Sequence, residues 1–311
     1  MKVLVAGATG AIGRPLVRRL VAAGHEVVGI TATPANAPLV EREGGRPVVC
    51  DALDAGALRD AVAVAAPEVV VSQLTRLPKD DFDPRSIDYG PSNRARHEGG
   101  RNLLEAAVAA GTRRFVTQSI AFIYAPEGGW VKSEDDPPWT DPPEPFRSGV
   151  EPTLGHERAV LDAPQLDGLV LRYGLLYGPG TWYARDGGTA RQVRRRRFPV
   201  VGSGEGTFSF IHVEDAAAAT VAACERGAPG IYNVTDDEPA RLREWLPVYA
   251  EALDAKSPRR VPAFLARWIG GRAAIAMATQ LRGASNAKAR RELGWRPAYA
   301  SWRQGFFEAL G

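Results

Sequence analysis

The stretch MKVLVAGATGAIGRPLVRRLVAAG at the start of the chain constrains the fold more than any other. An apolar run, residues 2–8, leads directly into Gly7, Gly10 and Gly13. A segment with helical periodicity, 13–24, follows and stops at Gly24. Strand, glycine turn and helix in that order predict a βα unit whose helix N-terminus is open to an anion. Gly7 permits the tight turn, Gly10 lets the backbone approach a pyrophosphate, and Gly13 lets helix and strand pack closely. Thr9, Ala11 and Ile12 complete the turn, so a dinucleotide is the expected ligand. The spacing is G-x-x-G-x-x-G rather than the G-x-G-x-x-G of many dehydrogenases.

The pattern then repeats. Apolar runs at 26–31, 47–50, 68–74 and 114–120 are separated by helical stretches at 55–65 and 92–111, and 169–179 continues the series. Short β-rich runs alternating with amphipathic helices predict an α/β fold of Rossmann type. Its core is a doubly wound parallel sheet, joined to a smaller, mostly C-terminal substrate-binding region. The expected division is a dinucleotide-binding region over 1–177 and a substrate-binding region over 178–311, with 208–235 returning to the sheet. Residues 125–152 are rich in proline, glycine and acid and read as a long loop, either functional or a solvated connection, and 146–161 reads as the entry to a helix. Further on, 191–204 reads as helix end, turn and short strand. A helix begins near Asp215 within 212–227, 230–234 is a strand, and 241–311 is mostly helical. The arginine run 194–197 is either a solvated helix face or a contact for an acidic ligand group.

Hydrophobic residues at 45%, charged residues at 24% and a net charge of +3 give no ground for a nucleic-acid partner. The first apolar run is short and broken by glycines, which argues against a membrane span or signal peptide, so cytoplasm is the expected location. Cys50 and Cys224 stand in unrelated contexts and imply no disulfide framework. Neither they nor His25, His97, His156 and His212 show metal-ligand spacing, and no metal is expected. No Ser-His-Asp or Cys-His ordering is visible.

The second strand should end beside the adenosine ribose, where NAD enzymes usually offer an acid and NADP enzymes an arginine. Here it ends in Thr31, Ala32 and Thr33, with neither. The threonine hydroxyls can donate to either ribose form, and the missing acid favours NADP over NAD. Asp51, followed by Ala52, comes after the third strand. It can accept from the adenine amino group or simply form a turn. Leu74 follows the fourth strand.

Seven segments, 7–13, 51–54, 99–107, 117–124, 171–181, 208–219 and 230–239, together with the closing segment 286–306, resemble the extended short-chain dehydrogenase/reductases of the NAD-dependent epimerase/dehydratase group. The resemblance covers nearly the whole chain. It implies NADPH or NADH as cofactor, with Gln118, Tyr173, Gly174 and Leu175 also bordering it. Tyr124, Tyr177, Trp182 and His212 are implied on the substrate side. The family's chemistry uses a tyrosine, a lysine four residues later, and a serine or threonine after the fifth strand. Matching HERAVL, 156–161, to the family's helix puts Gly149 at the tyrosine position and Thr153 at the lysine position. Ile120 falls at the hydroxyl position, with Ser119 one place earlier, and Arg96 stands where an asparagine is common. The chain thus resembles atypical members such as the angucyclinone ketoreductases of simocyclinone type.

Glycine has no side chain, and threonine is no cation to help ionise a neighbour. Hydride transfer by proximity survives that loss, but a developing alkoxide still needs a donor. The expected activity is therefore NAD(P)H-dependent reduction of a polycyclic aromatic polyketide ketone, assisted by the substrate's own phenol, with Ser119 and Gln118 as candidate helpers. A catalytically silent NADP-binding regulator and a nucleotide-sugar epimerase or dehydratase are the alternatives. Trp130, Trp139, Trp182, Tyr183, Phe264 and Trp268 are available for a flat ligand or as core anchors. A small aromatic molecule is the expected partner, and the chain is expected to be a monomer or homodimer.

Overall fold

The computed structural model describes residues 1–77 and 88–310, without the side chains of 267–270 and 310. Seven parallel strands form the central sheet: β1 Lys2–Ala6, β2 Glu26–Thr31, β3 Arg46–Val49, β4 Val69–Ser72, β5 Arg114–Ile120, β6 Asp167–Tyr173 and β7 Gly230–Val234. Their order across the sheet is β7-β6-β5-β4-β1-β2-β3. The chain starts in the middle, winds outward to β3, then returns to build the other half from β4. That reversal opens a crevice at the carboxyl ends of β1 and β4, where ligands of doubly wound sheets bind.

Period-two alternation explains why both faces are covered. Val3 and Val5 join Leu16, Val17 and Leu20 of α1 (Gly13–Ala22) in one core, whereas Leu4 and Ala6 join the opposite core. The opposite core holds Leu58 and Val62 of α2 (Ala55–Ala65) with Leu103 and Leu104 of α3 (Gly100–Ala109). A strand buried on both sides is apolar at every position, as VLVA here is. Asp54 caps α2 by accepting from the Ala57 amide at 3.0 Å. A short helix, Gly90–Arg94, and a π-helical turn, Ala95–Gly99, run directly into α3.

The loop expected over 125–152 is only partly a loop. Val131–Lys132 pairs in parallel with Gly283–Ala284, and the Lys132 ammonium donates to the Glu127 carbonyl and Asp136. Helix α4, Arg147–Leu161, begins inside the expected loop despite Gly149 and Pro152. Its buried face, Val150, Thr153, His156, Glu157 and Val160, packs on the sheet, and that burial overrides weak local propensity.

After β6 the chain leaves the sheet. A side chain at Gly174 would meet the Ser209 carbonyl oxygen at 2.7 Å, so only glycine lets Leu175–Tyr177 pair in parallel with Phe210–His212. Helix α5, Val213–Glu225, packs on α1, and β7 then re-joins the sheet edge. Helices Gly188–Arg194, Leu242–Ala252, Ala263–Gln280 and Trp302–Leu310 surround a third core rich in aromatic rings, which includes Trp245, Tyr249, Phe210, Trp302 and Phe306, while Ala287–Glu292 packs into the first through Ala289. No helix among the described residues is long and apolar enough to cross a membrane.

Candidate active site

Two clefts meet at the carboxyl end of the sheet. The first has an empty volume of about 670 Å³ and is lined by Gly7, Thr9, Thr31, Ala32, Thr33, Asp51, Ala52 and Leu74, all singled out by the sequence except Ala32 as a ligand. Its glycines meet the demands of a pyrophosphate turn one by one. Gly7 has φ of +82°, and a Cβ there would sit 2.4 Å from the Gln73 carbonyl oxygen. A Cβ at Gly13 would sit 2.1 Å from the Gly7 carbonyl oxygen, so the helix could not approach the strand. At Gly10 the nearest atom would be that same carbonyl, at 3.3 Å, which leaves the rest of the space to a ligand. These residues fit a dinucleotide: the amides of the turn would hold its phosphates, and Thr31 and Thr33, on the wall of the same cleft, would meet its ribose.

Sequence reasoning missed Asn36, Arg76 and Ala95 in this cleft. Arg76 donates to both Asp51 oxygens, at 2.9 and 2.8 Å. The Leu53 amide, at 3.0 Å, and this guanidinium hold the Asp51 carboxyl below its usual range. The signal for Arg76 was its place just after β4, on the loop that already supplied Leu74.

The second cleft, with an empty volume of about 910 Å³, is almost wholly apolar. Ile120, Phe122, Ile123, Trp139, Phe146, Val150, Trp182, Met277 and Leu281 form most of its wall, and Gly149 and Thr153 lie on the same surface. Its polar contributors are few: Tyr89, Asn93, Arg96 and Thr153. Among the described residues the wall contains one phenol, that of Tyr89, and no lysine. Burial raises the Tyr89 pKa, and nearby Arg96 only partly opposes that. The clefts adjoin through two pairs of chain neighbours. Arg76 lines the first and Leu77 the second, and on the π-helical turn Ala95 lines the first and Arg96 the second.

Residues 3–235 match the profile of the NAD dependent epimerase/dehydratase family. The chain belongs to this family. A 3-diazoavenalumate denitrifying reductase from Streptomyces sp is 49% identical over 98% of this chain and 99% of its own length. A 4-hydroxy-2-methyl-3-oxo-4-farnesyl-3,4-dihydroquinoline-1-oxide ketoreductase from Stigmatella aurantiaca is 27% identical, covering 83% of this chain and 75% of its own. The crystal structure of UDP-glucose 4-epimerase from Thermotoga maritima superimposes with a TM-score of 0.76 at 20% identity, over 100% of this chain and 97% of that one. The chain is thus an NAD(P)-dependent oxidoreductase of the epimerase/dehydratase family, with a nicotinamide nucleotide as its cofactor. That nucleotide, when bound, supplies or accepts a hydride.

The polar groups of β5 divide between its two faces. Thr117 and Ser119 point to α4, away from the cavity, because alternate residues of a strand face the same side. Ser119 donates to Glu157, and Glu157 accepts from Arg172 at 2.9 and 2.6 Å, with both partners of that pair buried. Arg172 also lies over the Tyr124 ring, 5.1 Å from its centroid, and the Tyr124 phenol donates to Asn233 at 2.7 Å. The hydroxyl of Ser119 is therefore committed to a buried network, and Ile120 takes the cavity position. Gln118 donates to the Leu74 carbonyl at 2.8 Å and ties β5 to the rim of the nucleotide cleft.

Other expected site residues sit deeper than the clefts. Tyr173 receives Gln73 at 2.9 Å and meets the Thr220 hydroxyl at 2.7 Å, in the core beneath the crevice, and burial drives its pKa up. Ala11 lies against Gly180, Ile12 is a core residue, and Gly174 and Leu175 carry the chain out of the sheet. Tyr124 and Tyr177 are fully buried and line neither cleft, so the substrate role expected of them is not where the side chains lie. His212 is likewise internal: its Nδ1 accepts from the Glu214 amide at 3.3 Å, capping α5, while Tyr177 and Tyr299 flank its ring. Asp215 accepts from the Ala298 and Tyr299 amides, at 2.8 and 2.9 Å, and pins the C-terminal segment to α5.

Of the aromatics noted in the sequence, Trp139 and Trp182 line the cavity, Tyr183 is core, and Trp130 stacks with Arg282. Phe264 is exposed, and the side chain of Trp268 lies outside the described residues. Among the described residues no group of three or more His, Cys, Asp or Glu is arranged to hold a metal ion.

Proposed function

We propose that this family member is a reductase whose acceptor needs no proton from the protein, and that the acceptor is an aryl diazo compound. One observation carries the reading: the surface that would present the family's acid is built from Gly149 and Thr153, and the Thr153 hydroxyl is already bonded to the Gly149 carbonyl. A ketone gaining hydride becomes an alkoxide and demands an acid at once. A diazonium group does not. Its terminal nitrogen gains the hydride with its electron pair, giving a neutral aryl diazene. Loss of dinitrogen breaks the carbon–nitrogen bond and leaves hydrogen on the ring carbon. The sum is Ar–N₂⁺ plus reduced cofactor giving Ar–H, N₂ and oxidised cofactor, with no net proton. The 49% identical reductase, named for nitrogen removal from a diazo compound, supports the same reading. The protein's part is to hold a flat acceptor among Trp139, Trp182 and Phe146 in an apolar, water-poor cavity beside the nucleotide cleft.

A polycyclic aromatic ketone bearing its own phenol is the second reading, favoured by the ketoreductase relative and by the cavity's apolar wall. Incubating the protein with NADPH and an ortho-diazophenol, and following both loss of reduced cofactor and release of the arene, tests the first. Equal amounts of oxidised cofactor and arene are expected. Oxidation with polycyclic ketones but not with diazophenols would transfer the assignment to the second reading. No oxidation with either would leave a nucleotide-binding regulator.

The cofactor preferred on this reading is NADP, because Thr31, Ala32 and Thr33 present no carboxylate to a 2′-phosphate. Ala32→Asp, at an exposed position of the cleft, should lower kcat/KM with NADPH by about tenfold or more and spare NADH. The ligand is a small molecule handled in the cytoplasm, by a monomer or homodimer.

A further inference from the structure

The proposed reading leaves open what gives the substrate its orientation, and we propose that Arg96 does so by binding a carboxylate at the end of the acceptor remote from the reacting group. The proposal rests on that reading for the identity of the acceptor, but its geometry stands alone.

Among the described residues, Arg96 is the one guanidinium on the wall of a largely apolar cavity, beside Tyr89, Asn93 and Thr153. No described residue bonds to it, and its Nε is sealed from solvent without a partner. Burial is the main influence on its charge, pushing its pKa down, and the only group that opposes this is the Tyr89 phenol. The chain treats its other enclosed arginines differently. Arg114 donates to the carbonyls of Ala223, Arg226 and Gly227, and Arg172 forks onto Glu157. Those arginines complete the fold. Arg96, half-buried with a sealed Nε, makes no such bond to a described residue, and a cation set in an apolar wall is costly unless something else pairs with it.

The backbone is shaped to place it. Arg96 lies on the π-helical turn Ala95–Gly99, a local widening of the helix that re-aims side chains. Gly100 then allows close contact with α4: a Cβ there would meet the His156 ring at 2.7 Å. The phosphates of a dinucleotide are not the intended partner, since Arg96 does not line the nucleotide cleft, although Ala95 beside it does. A planar carboxylate matches the guanidinium fork and satisfies it in a dry site. The acceptor is then an aromatic acid, its ring among the tryptophans and its carboxylate on Arg96.

The test uses binding rather than turnover, so that its failure is distinct from failure of the diazo reading. trans-4-Hydroxycinnamate and its methyl ester are titrated calorimetrically into the protein saturated with NADP. The acid should bind about tenfold to a hundredfold more tightly than the ester, the range for a hydrogen bond to a charged group. Arg96→Met should bring the two affinities together while leaving NADP affinity and thermal stability undiminished, and Arg96→Lys should keep part of the preference. Equal affinity of the wild type for acid and ester, no detectable binding of the acid, or an undiminished preference in Arg96→Met would overturn the assignment. Should Arg96→Met fold poorly, the wild-type ratio and Arg96→Lys still decide it.

Discussion

Thr153 donates its hydroxyl to the carbonyl of Gly149 at 2.7 Å, one turn earlier on the helix that borders the apolar cavity. The bond closes the helix surface on itself, so neither residue presents a proton to the cavity. Among the described residues the rest of the wall offers hydrophobic side chains, one phenol, one guanidinium and the Asn93 amide.

The rate of hydride transfer should therefore show little pH dependence. Arginine stays protonated throughout the accessible range. Burial raises the Tyr89 phenol, and burial lowers the His156 imidazole behind the wall to about 4. No described residue of the cavity wall changes charge between about pH 6 and about pH 9, and a bell-shaped profile is not expected there. Tyr89→Phe should retain turnover within about twofold, whereas removal of a true general acid costs about a hundredfold or more. Single-turnover kinetics across that pH range, in both proteins, give the answer.

The buried Ser119–Glu157–Arg172 network should govern stability rather than chemistry. Arg172→Met leaves the Glu157 carboxylate without its bidentate partner and should cost about 3–5 kcal/mol. Ser119→Ala removes one donor to that carboxylate and should cost about 1–3 kcal/mol. Urea unfolding of both variants measures the loss. A large drop in kcat for Ser119→Ala at unchanged stability would instead make that serine part of the chemistry.

Gly10 and Gly13 should separate binding from folding. Gly10→Ala meets only the Gly7 carbonyl oxygen, at 3.3 Å, so the turn should fold with a near-normal Tm. Its methyl group intrudes where the pyrophosphate must approach, and the Kd for NADPH should rise about tenfold or more. Gly13→Ala drives a methyl group to 2.1 Å from the Gly7 carbonyl oxygen, and should lower Tm as well as affinity. Calorimetric titration beside a thermal melt distinguishes the two.

His156 should shape the acid limb of stability. It bonds to the Thr117 hydroxyl at 3.0 Å, and its pKa falls from 6.5 to about 4 because burial disfavours the cation. As pH drops below about 6.5 the unfolded chain gains a proton that the folded chain refuses until about pH 4. Stability contributed above that window is lost within it, on the order of 3 kcal/mol in total. His156→Gln, which can keep a bond to Thr117, should lose correspondingly less between those pH values in urea titrations.

The nucleotide half of the site was legible along the chain because its determinants are local. Gly7, Gly10 and Gly13 act through φ and through the missing Cβ within a few residues of one another, and Thr31, Asp51 and Leu74 follow the ends of strands that apolar periodicity already marks. The substituted pair, Gly149 and Thr153, was also readable, since both sit on one helix four residues apart. The entry of that helix within 146–161 was readable too, although Gly149 and Pro152 speak against helix locally, and packing on β5 and β6 secures it.

The substrate half was decided only in three dimensions. Ser119, Tyr124, Tyr177 and His212 were expected near the ligand, but their side chains are consumed by Glu157, Asn233, the aromatic core and the cap of α5. Arg76 was marked only by its place on the loop after β4 and Arg96 only by standing where an asparagine is common, and neither place says what the side chain faces. Their meaning comes from what faces them: Asp51 across the nucleotide cleft for one, and an apolar wall with no counter-charge among the described residues for the other. By itself the sequence determined the sheet and the glycine turn between β1 and α1, because spacing and backbone freedom are written residue by residue. Only the tertiary structure decided which polar groups remain for a substrate, because that depends on which of them the fold has already paired across long stretches of chain.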